Sequence, residues 1–191
     1  MIDNNDNIKK IIIHDHQTPI NSKKINCKKE KKMRVETKTW ELNDEDLSYE
    51  TQFNSLQKIA INNLKIKDKY ITKLSSHIRS KLCSYKQQDI LKKKLNEIEF
   101  VSFEETVELL KSHHLKCCYC SENVYILYKN VREMKQWSLD RINNDIGHNN
   151  GNLVIACLEC NLKRRRTNKD AFMFTKNMVI IKEGNDLPHC Y

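Results

Sequence analysis

Glycine and proline are nearly missing. Three glycines and two prolines in 191 residues leave few places where the backbone can bend through conformations closed to other residues. Two of the three glycines, Gly147 and Gly151, fall within one stretch, QWSLDRINNDIGHNNGNLVIACLECN, from Gln136 to Asn161. Long hydrophobic runs are also missing. None approaches the roughly 18–20 apolar residues that span a bilayer, so a membrane role is not expected. The opening segment MIDNNDNIKK lacks the apolar centre of a secretory signal. The expectation is therefore a cytoplasmic or nuclear protein in a reducing compartment. Thiols stay reduced there, and the eight cysteines speak for metal ligation over a disulfide framework.

Positive charge is plentiful. The formal net charge is +9, a balance that favours polyanions, of which nucleic acid is the commonest. Solvated lysine in a Lys-, Asn- and Ile-rich chain is the plainer explanation. Residues 1–45 read as a disordered basic tail, with a short apolar run ended by Pro19 and the charge block KKINCKKEKKMR. Residues 46–99 read as a basic helical region. Leu56, Ile59, Ala60, Leu64 and Ile66, then Ile71, Leu74, Ile78 and Leu82, recur near helical spacing. Between Lys58 and Lys94 stand eleven Lys or Arg and two Asp, a face suited to phosphates or simply to water.

Residues 100–191 carry the motifs. Ser102 with Glu105 three residues on has the form of a capping box opening a short helix through SFEETVELLKSHH. Val124 to Tyr128 reads as a strand, and WSLDRI and NLVIA as two more, joined by a wide polar hairpin loop. A helical segment, broken near Thr167, follows Cys160. The predicted class is α+β.

Cys117 and Cys120 form one C-x-x-C, Cys157 and Cys160 another. Two such knuckles complete a structural Cys₄ zinc site. Cys118 is a spare, and Cys27, Cys83 and Cys190 are read as plain thiols. His113, His114 and His189 complete no site by their spacing. Zinc across the two pairs closes a loop containing the hairpin. It brings Asp140, at the end of one strand, opposite Asn161, directly after the last thiol. A carboxylate and an amide carbonyl are hard oxygen donors suited to Mg²⁺ or Mn²⁺.

The two C-x-x-C pairs, the hairpin LDRINNDIGHNNGN and the closing C-x-x-C-N resemble the HNH endonuclease superfamily over residues 100 to 175. The resemblance implies a ββα-metal module and a metal-dependent endonuclease that hydrolyses phosphodiester bonds in DNA. It makes Asp140 a metal ligand, Asn152 the brace of the hairpin loop and Asn161 the second ligand of the catalytic ion. Where that family places its catalytic histidine, this chain has Arg141. Arginine cannot act as a general base, but its planar fork suits a clamp on the scissile phosphate. The base is then His148 or a metal-bound hydroxide. Lys163, Arg164, Arg165 and Arg166 are the expected phosphate contacts flanking the ion. Two other readings stand beside this one. The first is a zinc-stapled DNA-binding module that has lost catalysis, which Arg141 favours. The second is an RNA-directed enzyme or binder.

Overall fold

The computed structural model describes residues 10–13, 42–62 and 68–182. In chain order the elements are β1 (Lys10–Ile13), α1 (Tyr49–Asn62), α2 (Lys69–Leu91), α3 (Phe103–Ser112), β2 (Trp137–Arg141), β3 (Leu153–Cys157), α4 (Leu158–Arg164), α5 (Lys169–Lys176) and β4 (Val179–Lys182). The class is α+β, as expected. Among the described residues no helix is long and apolar enough to cross a membrane.

The helical region divides in two. Leu64 and Ile66 of the predicted stripe lie outside the described residues. Asp68 caps α2 by accepting from Tyr70 N at 2.8 Å. Ile71, Leu74, Ile78, Leu82, Tyr85 and Asp89 then make one buried stripe along α2 at the spacing of a single helical face. Five of these six are apolar or aromatic, and the sixth is a carboxylate. The capping box of α3 is present. Ser102 Oγ accepts from Glu105 N at 3.1 Å, and Glu105 Oε2 accepts from Ser102 N at 2.8 Å.

β2 and β3 pair antiparallel, with Trp137 opposite Cys157 and Asp140 opposite Val154. α4 begins at the residue after β3, with Cys157 as its N-cap. The strand–hairpin–strand–helix order read from the sequence is thus continuous in space. Leu56 and Ile59 of α1, Ile71, Leu74, Ile78, Leu82 and Tyr85 of α2, the buried face of α3, β2, β3 and Phe172 of α5 belong to one hydrophobic core. The boundary drawn between residues 99 and 100 therefore does not separate two cores among the described residues.

Two expectations need correction. Val124–Tyr128 forms no strand. Gln52 of α1 is fully buried, and its Oε1 accepts from Ile126 N at 2.7 Å and Leu127 N at 2.9 Å. Its Nε2 donates to Leu127 O at 3.0 Å. One glutamine side chain thus takes the backbone groups that a neighbouring strand would have paired. Ile126, Leu127 and Tyr128 are consecutively buried, and Tyr125 keeps only an isolated parallel bridge to Gln136. The second correction concerns the tail. Residues 10–13 form β1, which pairs in parallel with β4, Lys10 opposite Val179 and Ile13 opposite Lys182. Both segments are β-branched runs of the kind enriched in strands. The rest of residues 1–41, with the charge block, lies outside the described residues.

Candidate metal centre and basic cleft

The four cysteines Cys117, Cys120, Cys157 and Cys160 come together, with all Sγ atoms within 4.8 Å of one another. Cys120 Sγ and Cys157 Sγ are 3.9 Å apart. Zn–S bonds of about 2.3 Å in a tetrahedron put sulfurs roughly 3.8 Å apart, so the cluster has the size of a structural zinc site. Each knuckle is built by its own backbone. Cys117 Sγ accepts from Tyr119 N at 3.4 Å, and Cys157 Sγ accepts from Cys160 N at 3.3 Å. Ser121, at φ 58°, turns the first knuckle back. Cys118 N donates to Ile155 O at 2.8 Å and ties that knuckle to β3.

Hydrogen bonding between the thiols favours ionisation of one and opposes that of the next. Cys117 is pulled down to about 4, chiefly by a hydrogen bond from the Cys157 thiol. That same bond pushes Cys157 up, and burial raises Cys160 to about 11. A cation is what would bring all four to the thiolate form. Cys118 stands outside the cluster and Cys83 is exposed. Cys27 and Cys190 lie outside the described residues.

Beside the cluster, an open cleft of about 590 Å³ runs between the C-terminal end of α2, the end of β2, the hairpin loop and α4. Its walls carry Asp140, Arg141, His148 and Asn161, together with Lys92, Lys94, Arg165 and Arg166. Five cations thus face one carboxylate across a concave surface, an arrangement that concentrates anions.

Each side chain has a definite tether. Asp140, 4% exposed, accepts from Tyr119 Oη at 2.7 Å through Oδ2 and from Arg164 Nη1 at 2.6 Å through Oδ1. Burial and the adjacent carboxylate raise the Tyr119 pKa, so the phenol remains a donor. Asn161 Nδ2 donates to Ser138 Oγ at 3.1 Å, which leaves Oδ1 as its unengaged acceptor among the described residues. Arg141 Nη1 donates to Ile146 O at 3.1 Å. Asn152 Nδ2 donates to Asn143 O and Gly147 O, each at 3.0 Å, and its Oδ1 accepts from Asn143 N at 2.8 Å. That is the geometry of a loop brace, with Asn152 set back from the cleft.

The run Lys163–Arg166 does not act as one patch, because Lys163 and Arg164 on α4 point about 100° apart and the chain leaves the helix at Arg165. Arg165 and Arg166 line the cleft. Arg165, at φ 54°, also ends α4. Lys163 pairs with Glu159 at 2.6 Å. Arg164 corrects the sequence reading outright. It is 0% exposed and donates to Asp140, to Arg141 O at 2.8 Å and to Ile142 O at 3.0 Å. It is an internal strut from α4 to the end of β2, closed to phosphate.

The residue that the sequence reading missed is Asp89. It is fully buried on α2 and accepts from His148 N at 2.6 Å through Oδ2. Its Oδ1 lies 2.9 Å from His148 Nδ1. The Tyr85 ring stacks on the imidazole at 4.5 Å. Burial lowers the His148 pKa despite the opposing pull of Asp89, with Arg141 and Lys92 adding to the lowering. The histidine is therefore neutral near pH 7. The signal for Asp89 was its place at helical spacing after Leu82 and Tyr85, one of two acids among eleven bases.

Comparison with known proteins gives no relative. No protein-family model, curated protein or solved structure matches the chain.

Proposed function

We propose that this chain is a metal-dependent endonuclease of the HNH type, stapled by zinc on Cys117, Cys120, Cys157 and Cys160, that hydrolyses phosphodiester bonds in DNA. One observation carries the reading. Asp140, Arg141, His148 and Asn161, from three different elements, line a single cationic cleft next to a four-thiol cluster. Arg141, Arg165 and Arg166 hold the phosphates on either side of the scissile bond. Arg141 cannot take a proton, so His148 is the group on the cleft that accepts one from the attacking water.

Asp140 and Asn161 carry hard oxygen donors of the kind a small hard cation takes, with both Asp140 oxygens also bonded to Tyr119 and Arg164. Asp140 and Asn161 Oδ1 would hold Mg²⁺ or Mn²⁺, with water and phosphate completing the shell. Bound there, the ion would stabilise charge on the leaving oxygen. Arg164 already balances Asp140, so the ion would be held weakly until phosphate arrives.

The Asp140–Arg164 pair is also the observation that favours the second reading, a DNA-binding module without chemistry. It gives the aspartate a structural reason to exist. Supercoiled plasmid incubated with the protein in Mg²⁺ or Mn²⁺, with and without chelator, separates the two. Metal-dependent nicking or linearisation supports the nuclease, while binding without cleavage supports the module. Arg141→His should keep or raise the cleavage rate, since it adds a base on β2.

A further inference from the structure

The α2 helix lies outside the segment that resembles a nuclease, yet it reaches the cleft through one buried acid. We propose that Asp89 is a positioning residue that fixes the tautomer of His148, so that α2 supplies half of a proton-accepting dyad at the cleft. The inference rests on the nuclease reading and adds to it a residue that the ββα segment does not contain.

The geometry is that of an orienting carboxylate. Asp89 accepts from both the backbone N–H and the ring Nδ1 of the same histidine, at 2.6 and 2.9 Å. An ionised carboxylate only accepts, so Nδ1 must carry the proton. In the neutral ring Nε2 is then the basic nitrogen, and no hydrogen bond among the described residues engages it. His148 lines the cleft. Tyr85 covers one face of the ring and fixes its plane.

The chain has made room for this contact. A Cβ on Gly147 would lie 2.5 Å from Lys94 O and 2.8 Å from Asp89 Oδ2. Only glycine lets the loop come close enough for the bidentate contact. An ordinary core histidine needs neither a fully buried acid nor a glycine beside it. The balanced step is short. Water attacks phosphorus as its proton passes to Nε2, and the bond from phosphorus to the leaving oxygen breaks. That oxygen takes a proton from solvent, and the imidazolium returns its own to solvent. Asp89 stabilises the transient imidazolium.

The groups that set the His148 titration are Asp89, Tyr85 and Lys92 from α2 and its end, and Arg141 from β2. Asp89→Asn removes the charge that raises it. The variant should cleave on the order of 10²-fold more slowly or worse, with the acid limb of its pH–rate profile moved to lower pH. In a His148→Ala background the same change should cost nothing further, because Asp89 acts only through that ring. The imidazole ¹⁵N shifts of wild type should report a protonated Nδ1, a readout that needs no variant to fold. Wild-type cleavage with Asp89→Asn equally fast and its acid limb unmoved would overturn the dyad and leave the nuclease standing. So would a wild-type ring protonated on Nε2 instead. A wild type that never cleaves would sink the nuclease reading and the role of Asp89 in it.

Discussion

Arg164→Met is the substitution that most sharply separates a strut from a phosphate contact. Methionine keeps the length and apolar stem of the side chain, so the change leaves little cavity. It removes the one cation bonded to Asp140 among the described residues, a carboxylate 4% exposed, and strands the carbonyls of Arg141 and Ile142. Removing one partner of a buried ion pair costs about 3–5 kcal/mol. In a domain of this size each kcal/mol moves the melting temperature by about 2–4 °C, so the drop should be about 6–20 °C. Adding Asp140→Leu and Tyr119→Phe should recover most of it, because no buried charge or orphaned hydroxyl then remains. Arg165→Ala and Arg166→Ala should each leave the melt within about 0.5 kcal/mol. Each should instead flatten the dependence of log DNA affinity on log salt by about 0.9. Thermal melts followed by circular dichroism at fixed zinc, with binding isotherms at several salt concentrations, give both readouts. If Arg164→Met melted like wild type and flattened the salt slope instead, the buried-strut argument would be wrong.

Three other consequences follow from the same geometry. Purified protein should carry one zinc per chain, and Cys157→Ser should lose both the metal and the cooperative melt, since structural zinc contributes on the order of 10 kcal/mol to folding; a metal-free protein with an unchanged melt would contradict this. Gly147→Ala should destabilise by about 1–3 kcal/mol, because the new methyl meets backbone at Lys94 O. Gly151→Ala should cost about 1–2 kcal/mol through its φ of +77° alone, having open space around it; equal tolerance of both by thermal melt would count against the packed loop. Burial, with Lys81 nearby, pushes His77 down to about 4 from its ordinary 6.5. Between those values the unfolded chain binds a proton that the folded chain refuses. Its contribution to stability is therefore full above pH 6.5 and lost as pH falls toward 4. Melts across that window should be flatter for His77→Gln, and an unaltered slope would remove His77 from the account.

What was legible in the sequence was local. The C-x-x-C spacing, the Ser102–Glu105 box and the short strand segments WSLDRI and NLVIA each depend on residues a few positions apart, and each appears where it was read. The misreadings came from partners far along the chain. Val124–Tyr128 looks like a strand until Gln52, some seventy-five residues earlier, takes its backbone groups. Asp89 is one acid in a basic helix until His148 arrives fifty-nine residues later. Arg164 sits among four consecutive cations; the turn of α4 faces it inward, and the helix ends at Arg165, with φ 54°, so that Arg165 and Arg166 face the cleft. β1 needed β4, at the other end of the chain, before its apolar run had a pairing partner.

The central claim is that the cleft cuts DNA, and plasmid cleavage tests it most directly. Zinc-loaded full-length protein in Mg²⁺ or Mn²⁺ should convert supercoiled plasmid to nicked or linear form, chelator should stop it, and His148→Ala should slow it by about 10²–10⁴-fold while keeping its zinc. Tight DNA binding by fully zinc-loaded wild type with no cleavage of duplex, branched or single-stranded DNA in either metal would contradict the claim and leave a binding module in its place.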